Sequence, residues 1–374
     1  MIVIMTPGIG AASAEVEEVK RQARKYEGIE TNVHEVVGKI RGVTEIYLIG
    51  PTATVPSDDF EALPGVERVI RVSDRYKLIG RHRGQVEAVG FEYRGIAFNH
   101  ESFHVIPGLC AVDTREHVDL TFAALARHGI RTARMGAYKP RTSPYDFQGH
   151  GKECLPYVFE LAGKHGIQVV TMEITAIKHL DEVRAALRAS GDATGVMLQI
   201  GTRNSQNFEL LKEVGQQKEL PVLYKRGMGI TLEESINACE YIASEGNRQV
   251  AFCLRGVKSH LGDPHRNLVD FAHVPVVKRL TRMPVCIDPS HSVGGRVEAA
   301  DGLLDIFHVT AQGIIAGANM VLVDFHPAPS KALCDGPQAL TLDELPAFLD
   351  DVAIVRDAYE KRVARLRGAN VRAA

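Results

Sequence analysis

Apolar residues recur along this chain at two spacings. Residues 2–5 form a short apolar run broken by Pro7-Gly8, which predicts a strand and a turn. Ser13 precedes Val16, Val19, Ala23 and Tyr26, spaced along one helical face, and Gly28 closes the segment as a capped helix would close. Strands are predicted over 31–37 and 45–49, a short helix over 58–63 and a strand over 66–72. The order βαββαβ predicts a ferredoxin-like sandwich over residues 1–80. Its polar residues do not converge, so a regulatory or oligomerising role is expected there. Alternation over 85–98 predicts a β-hairpin, turning near Glu92 or Gly95, within a connection spanning 81–100.

From His104 onward strand-like and helix-like segments take turns. Strands are predicted over 104–112, 132–138, 168–173, 195–200, 221–225, 249–254, 284–288 and 320–325. Amphipathic segments fall over 116–128, 155–165, 180–189, 205–214, 232–245 and 309–316. Eight βα units in about 260 residues predict an α/β protein with a (β/α)8 TIM barrel over 101–374. A doubly wound sheet is the rival, but neither G-x-G-x-x-G nor a P-loop follows a predicted strand where one would belong.

A TIM barrel places chemistry at the C-terminal ends of its strands. Cys110 ends the first; Arg134, Lys139 and Arg141, with Thr142 and Ser143 beside them, end the second. Glu173, Arg203, Lys225-Arg226, Arg255 and His291 follow at the next five, and Asp324, His326 and then Asp335 at the eighth. The cations suit two phosphate groups and a carboxylate, since guanidinium forks match such oxygens. Cys110, His291, Asp324 and Asp335 offer sulfur, nitrogen and oxygen to a divalent transition metal, with Mn, Fe, Co, Cu and Zn all open.

Composition narrows the ligand. The 374 residues are 45% hydrophobic and 24% charged, with a net charge of −2, as in ordinary soluble globular proteins. No overall basic field invites nucleic acid, so the cationic loop is expected to serve a small polyanion. No apolar run is long enough to span a bilayer, and the N-terminus lacks the basic leader of a signal peptide. Six cysteines without a C-x-x-C pair suit reduced thiols and a cytoplasmic location.

Five segments carry a family resemblance: Gly136-Ala-Tyr-Lys-Pro-Arg-Thr-Ser-Pro-Tyr-Asp-Phe-Gln-Gly149, Gln199-Ile-Gly-Thr-Arg-Asn204, Leu223-Tyr-Lys-Arg-Gly227, Asp288-Pro-Ser-His291, and the stretch from His326-Pro to Lys331-Ala-Leu-Cys-Asp-Gly-Pro-Gln338. They resemble type I 3-deoxy-D-arabino-heptulosonate 7-phosphate (DAHP) synthases, in the branch with an N-terminal ferredoxin-like domain. The resemblance implies condensation of phosphoenolpyruvate (PEP) with erythrose 4-phosphate, the first step of the shikimate pathway to aromatic amino acids. It implies that Arg134, Lys139, Arg203, Lys225 and Arg255 hold PEP, and that Arg141 and Thr142, with Ser143 beside them, hold the aldehyde. It also implies that Cys110, His291, Asp324 and Asp335 are the metal ligands, with Mn2+, Co2+, Fe2+ or Zn2+ as the ion; the residue types then make Lys139 the candidate acid for the new alkoxide, directly or through a metal-bound water. An aromatic amino-acid effector and a homodimer or homotetramer are further implications.

The departures point to a specialised paralogue. Gly108-Leu-Cys-Ala111 stands where the family has Gly-Pro-Cys-Ser, Cys253-Leu-Arg-Gly256 where it has Cys-Glu-Arg-Gly, and Asp324 where it has Glu. The segment from His291 to Asp324 is also longer than usual. A KDO 8-phosphate synthase-like enzyme using another aldose phosphate is the first alternative, although its Lys-Ala-Asn-Arg-Ser is replaced by Lys139-Pro-Arg-Thr-Ser. A non-catalytic regulatory paralogue is the second, and the retained Cys110, His291 and Lys139 weigh against it.

Overall fold

A computed structural model describes residues 1–37, 42–71, 76–81 and 89–371. The chain divides into two compact units, Met1–Ala88 and Val89–Ala374. In the first, β1 (Ile2–Met5), α1 (Ala14–Ala23), β2 (Glu30–Val37), β3 (Gly42–Ile49), α2 (Asp58–Glu61) and β4 (Val66–Ile70) follow in order. The strands form an antiparallel sheet ordered β2-β3-β1-β4, as the predicted sandwich requires. Ser13 caps α1, its hydroxyl accepting from Val16 N at 3.3 Å. The face bearing Val16, Val19 and Ala23 packs in one core with Val3, Met5, Ile46, Leu48 and Phe60. The end of the predicted 66–72 strand and the start of the predicted 85–98 hairpin lie outside the described residues.

The second unit opens with the hairpin β5 (Phe91–Tyr93) and β6 (Ile96–Phe98). Arg94 and Gly95 form its turn, both left-handed at φ 52 and 72, the conformation a two-residue loop between twisted strands demands. Ile96 and Phe98 pack against Ile106, Val169, Met197, Leu223, Ala251 and Met320 and cover the N-terminal end of the barrel core.

The barrel comprises β7 (His104–Leu109), α3 (Arg115–Arg127), β8 (Thr132–Met135), α4 (Leu155–Lys164), β9 (Val169–Ile174), α5 (Ile177–Ala189), β10 (Gly195–Ile200), α6 (Phe208–Gln216), β11 (Val222–Lys225), α7 (Leu232–Ser244), β12 (Val250–Leu254), α8 (Val274–Leu280), β13 (Val285–Ile287), α9 (Pro289–Val293), α10 (Asp305–Ile315), β14 (Met320–His326), β15 (Leu340–Thr341) and α11 (Leu345–Val371). Strands β7 to β14 are parallel neighbours in sequence order, and β13–β14 and β14–β7 pairing close the ring. Helix α6 starts at Phe208, later than predicted, because the Asn207 side chain caps it through Leu210 N at 3.3 Å. No helix among the described residues is long and apolar enough to cross a membrane.

Register at the β7 end prepares the site. Gly108 pairs with Asp324 on one side and Arg134 on the other. Its φ is 146, and a Cβ there would lie 2.3 Å from the Arg134 carbonyl oxygen, so only glycine fits. The Arg134 and Asp324 side chains meet across this gap in a buried ion pair.

Candidate active site

Four cations are drawn inward at the C-terminal strand ends: Arg134, Lys139, Lys225 and Arg255 are each at most 7% exposed. Cations buried that deeply need partners. Arg134 has Asp324, Lys225 has Asp288, and Lys139 Nζ lies 3.8 Å from Glu173 while donating to the Cys110 carbonyl at 3.0 Å. Arg255 stands apart. Its Nη2 donates to the His291 carbonyl at 3.4 Å, but Nε and Nη1 are buried without a hydrogen-bond partner. Two guanidinium nitrogens without a partner, on a side chain that lines a cavity of about 170 Å3, make Arg255 a candidate anchor for an anionic ligand. Arg134, Lys139, Lys225 and Arg255 line that cavity with Arg141, Arg203 and Arg266. Arg203 Nη2 donates to Thr142 Oγ1 at 3.1 Å, tying the two expected substrate regions together.

The four expected metal donors converge beside it. Cys110 Sγ lies 3.7 Å from His291 Nε2 and 3.1 Å from Asp335 Oδ2, and the last two atoms are 3.8 Å apart. Tetrahedral ligands on bonds of about 2.0–2.3 Å stand about 3.3–3.8 Å from each other, so the set fits a divalent ion with little movement. Donor atoms of Cys110, His291 and Asp324 also lie within 4.8 Å of one another. Asp324 is shared, because Arg134 and Gln338 donate to its two carboxylate oxygens.

Asp288 orients the histidine. It caps the one-turn helix α9, accepting from His291 N at 3.0 Å, and holds His291 Nδ1 at 3.0 Å, which leaves Nε2 facing Cys110 and Asp335. A carboxylate behind a ligating imidazole is the usual support of a metal site. Burial works against charge on His291, but Asp288 and Asp324 overcome it and raise the imidazole to about 10. A hydrogen bond with Cys334, together with burial, pushes the Cys110 thiol well up, and that same hydrogen bond lowers Cys334.

Some expected residues lie elsewhere. Arg226 pairs with Asp270 at 2.9 Å and is not among the residues lining the cavity. Ser143 turns back on its own loop, where its hydroxyl accepts from Tyr145 N at 3.2 Å. His326 joins Asp113 and His117 in a separate cluster, at 2.7 Å and 2.9 Å from Asp113 Oδ2. Ala328 N donates to His326 Nδ1 at 3.0 Å, so neutral His326 carries its proton on Nε2 and donates to Asp113. The sequence reading missed Asp288, Arg266, Gln338 and Cys334; the Asp-Pro start of α9, three residues before His291, was the available signal for the first.

Asp113 yields a pH prediction. Burial opposes its charge, but the His326 and His117 hydrogen bonds bring it from 3.8 down to about 2. A carboxylate lowered on folding stabilises above its unfolded value and loses that effect as pH falls through its folded value. Asp113→Asn should therefore be less stable near neutrality and lose less stability between pH of about 4 and 2. Urea unfolding across that window checks this; parallel curves for the two proteins would refute it.

A closed (β/α)8 barrel with buried cations around an anion cavity and a mixed donor cluster at its mouth defines an enzyme for small phosphorylated or carboxylated substrates. Comparison makes the class specific. Residues 88–359 match the DAHP synthetase I family, and residues 1–74 match the DAHP synthase ferredoxin-like domain. Phospho-2-dehydro-3-deoxyheptonate aldolase of Thermotoga maritima is 36% identical over 97% of this chain and 100% of its own length. A solved structure of that organism's DAHP synthase covers 96% of this chain and 97% of its own, with TM-score 0.68 and 34% identity. The 2-dehydro-3-deoxyphosphooctonate aldolase of Geobacter sulfurreducens is more distant, 29% identical over 59% of this chain and 78% of its own length. The chain belongs to the DAHP synthetase I family, as its motifs implied. The family is metal dependent, and its substrates are PEP and erythrose 4-phosphate.

Proposed function

We propose that this protein is a DAHP synthase, joining PEP and erythrose 4-phosphate into DAHP and inorganic phosphate. The buried, partly unpartnered Arg255 among six further cavity cations carries this reading, because it calls for a ligand with several anionic oxygens. Arg134, Lys139, Arg203, Lys225 and Arg255 fix the PEP carboxylate and phosphate, so that C3 faces the aldehyde carbon. Arg141 and Thr142 hold the aldehyde substrate nearer the rim. A divalent ion held by Cys110, His291, Asp324 and Asp335 would supply Lewis-acid polarisation of the aldehyde oxygen. PEP C3 attacks the carbonyl carbon and Lys139 gives its proton to the alkoxide oxygen. Water adds at C2, and the C2–O bond to phosphate then breaks.

The test is phosphate release from PEP with a panel of aldose phosphates. Erythrose 4-phosphate should be fastest; a clear preference for arabinose 5-phosphate would instead place the protein with the octonate-forming enzymes. Chelator-treated protein should be inactive and recover with Mn2+ or Co2+, and full activity after verified metal removal would sink the metal assignment.

The N-terminal unit is assigned regulation by an aromatic amino acid. It is compact in itself, and a solved truncated form of the Thermotoga maritima synthase covers 76% of this chain and 97% of its own length, with TM-score 0.64 and 31% identity. A chain starting at Val89 should keep turnover and lose any inhibition by tyrosine or phenylalanine. A folded but inactive barrel would refute this division.

A further inference from the structure

The loop after β14 carries a sulfur that neither the residue pattern nor the family resemblance assigned. Cys334 Sγ lies 3.1 Å from Asp335 Oδ2, the same oxygen that lies 3.1 Å from Cys110 Sγ. Donor atoms of Cys110, Cys334 and Asp335 all fall within 4.8 Å of one another. Both thiols are buried and neither is in a disulfide. Asp324, meanwhile, carries Arg134 on one carboxylate oxygen and Gln338 on the other. Each Asp324 oxygen keeps a second lone pair, but the two donors narrow the directions from which an ion can reach it. Arg141 Nη1 donates to the Cys334 sulfur at 2.7 Å, and that guanidinium already lines the substrate cavity.

We propose that Cys334 is a metal ligand, completing a shell of two sulfurs, one nitrogen and one oxygen with Cys110, His291 and Asp335. The inference rests on the metal-dependent reading above. It gives Cys334 the coordinating position that Asp324 would otherwise fill, since its sulfur lies within 4.8 Å of both Cys110 and Asp335 donor atoms. Each thiol loses its proton to solvent when the ion binds. A thiolate pair favours Zn2+ or Co2+ over Mn2+, which prefers oxygen donors. Coordination also draws the sulfur lone pairs away from Arg141, leaving that guanidinium to the phosphate of the incoming aldehyde.

Metal-free full-length protein is titrated with Co2+, recording the sulfur-to-cobalt charge-transfer absorption and the affinity by calorimetry. The parent should show the band. Cys334→Ser and Cys334→Ala should each lose about half of it, and Cys110→Ser should retain what Cys334 contributes. Affinity in the two Cys334 variants should fall by at least the 10–100-fold that follows loss of a supporting partner. Thermal unfolding of the metal-free variants should match the parent. An undiminished band and affinity in both Cys334 variants would overturn the proposal and leave Cys334 as an anchor for Arg141, a role that shifts the aldehyde KM without touching the spectrum. A parent protein with no sulfur band at all would overturn the metal reading itself.

Discussion

Lys139→Met should lower kcat by about a hundredfold to ten-thousandfold, the range expected on removing a positioned acid. Lys139 is 7% exposed, and its Nζ donates to Cys110 Sγ at 3.1 Å as well as to the Cys110 carbonyl. Burial works against its charge, but Cys110 and Glu173 outweigh it and hold the ammonium above the usual lysine range. That direction favours the protonated form, which an acid beside a forming alkoxide needs. Methionine keeps the length and removes the proton. With PEP saturating, a lost acid appears in kcat, whereas a lost PEP contact appears in KM. A variant with parent-like kcat and raised KM would make Lys139 a binding residue only.

Asp324→Asn should destabilise the protein by about 3–5 kcal/mol, the cost of stripping one partner from a buried ion pair. Asp324 is 1% exposed and Arg134 3%, and Gly108 leaves no side chain between them that could give way to water. Asp324→Glu tests the other face of the residue. One more methylene extends the carboxylate by roughly 1.5 Å, so with Asp324 in the shell this variant should bind metal at least as tightly as the parent, whereas a shell completed by Cys334 leaves the affinity unchanged. Chemical denaturation and metal titration of both variants decide the matter. An Asn variant with parent-like stability and metal affinity would show that Asp324 neither anchors Arg134 nor touches the ion.

The barrel was legible because its buried strands are continuous apolar runs punctuated by polar strand ends, a signal that needs no tertiary information. Gly195–Ile200 was read to the residue, since every position in that strand is buried. Helix α11 was not predicted: Leu345, Phe348 and Val352 bury its first turns, but Ile354 is 68% exposed and the apolar stripe fades. Helix α8 escaped for a related reason, being seven residues long with a proline in its first turn. In the site, a cation at a strand end is visible as such, but the carboxylate that neutralises it is not. Asp288 reaches His291 within the single turn of α9, but it meets Lys225 of β11 only because the closed ring of strands brings the two together. Cys334 was passed over because a single thiol beside an aspartate has no sequence signature, while its nearness to Cys110 spans a separation of 224 positions (334 − 110).

The packed barrel core, with the hairpin beneath it, makes the active site a cul-de-sac. Tyr93 Oη accepts from Val196 N at 3.1 Å, Arg94 donates to the Thr194 carbonyl at 3.0 Å, and His104 meets the Ala97 carbonyl at 2.8 Å, so the floor is fastened to the beginnings of β10 and β7 as well as packed. Traffic must then use one door. On the proposed assignment PEP lies against the deep cations Arg134, Lys225 and Arg255, and the aldehyde lies by Arg141 nearer the entrance. The second arrival stands in the path of the first. Queueing is thus imposed by architecture: PEP has to enter before the sugar, and a sugar phosphate that arrives early obstructs the passage instead of reacting. Excess aldehyde should accordingly slow the enzyme, an inhibition that rising PEP relieves.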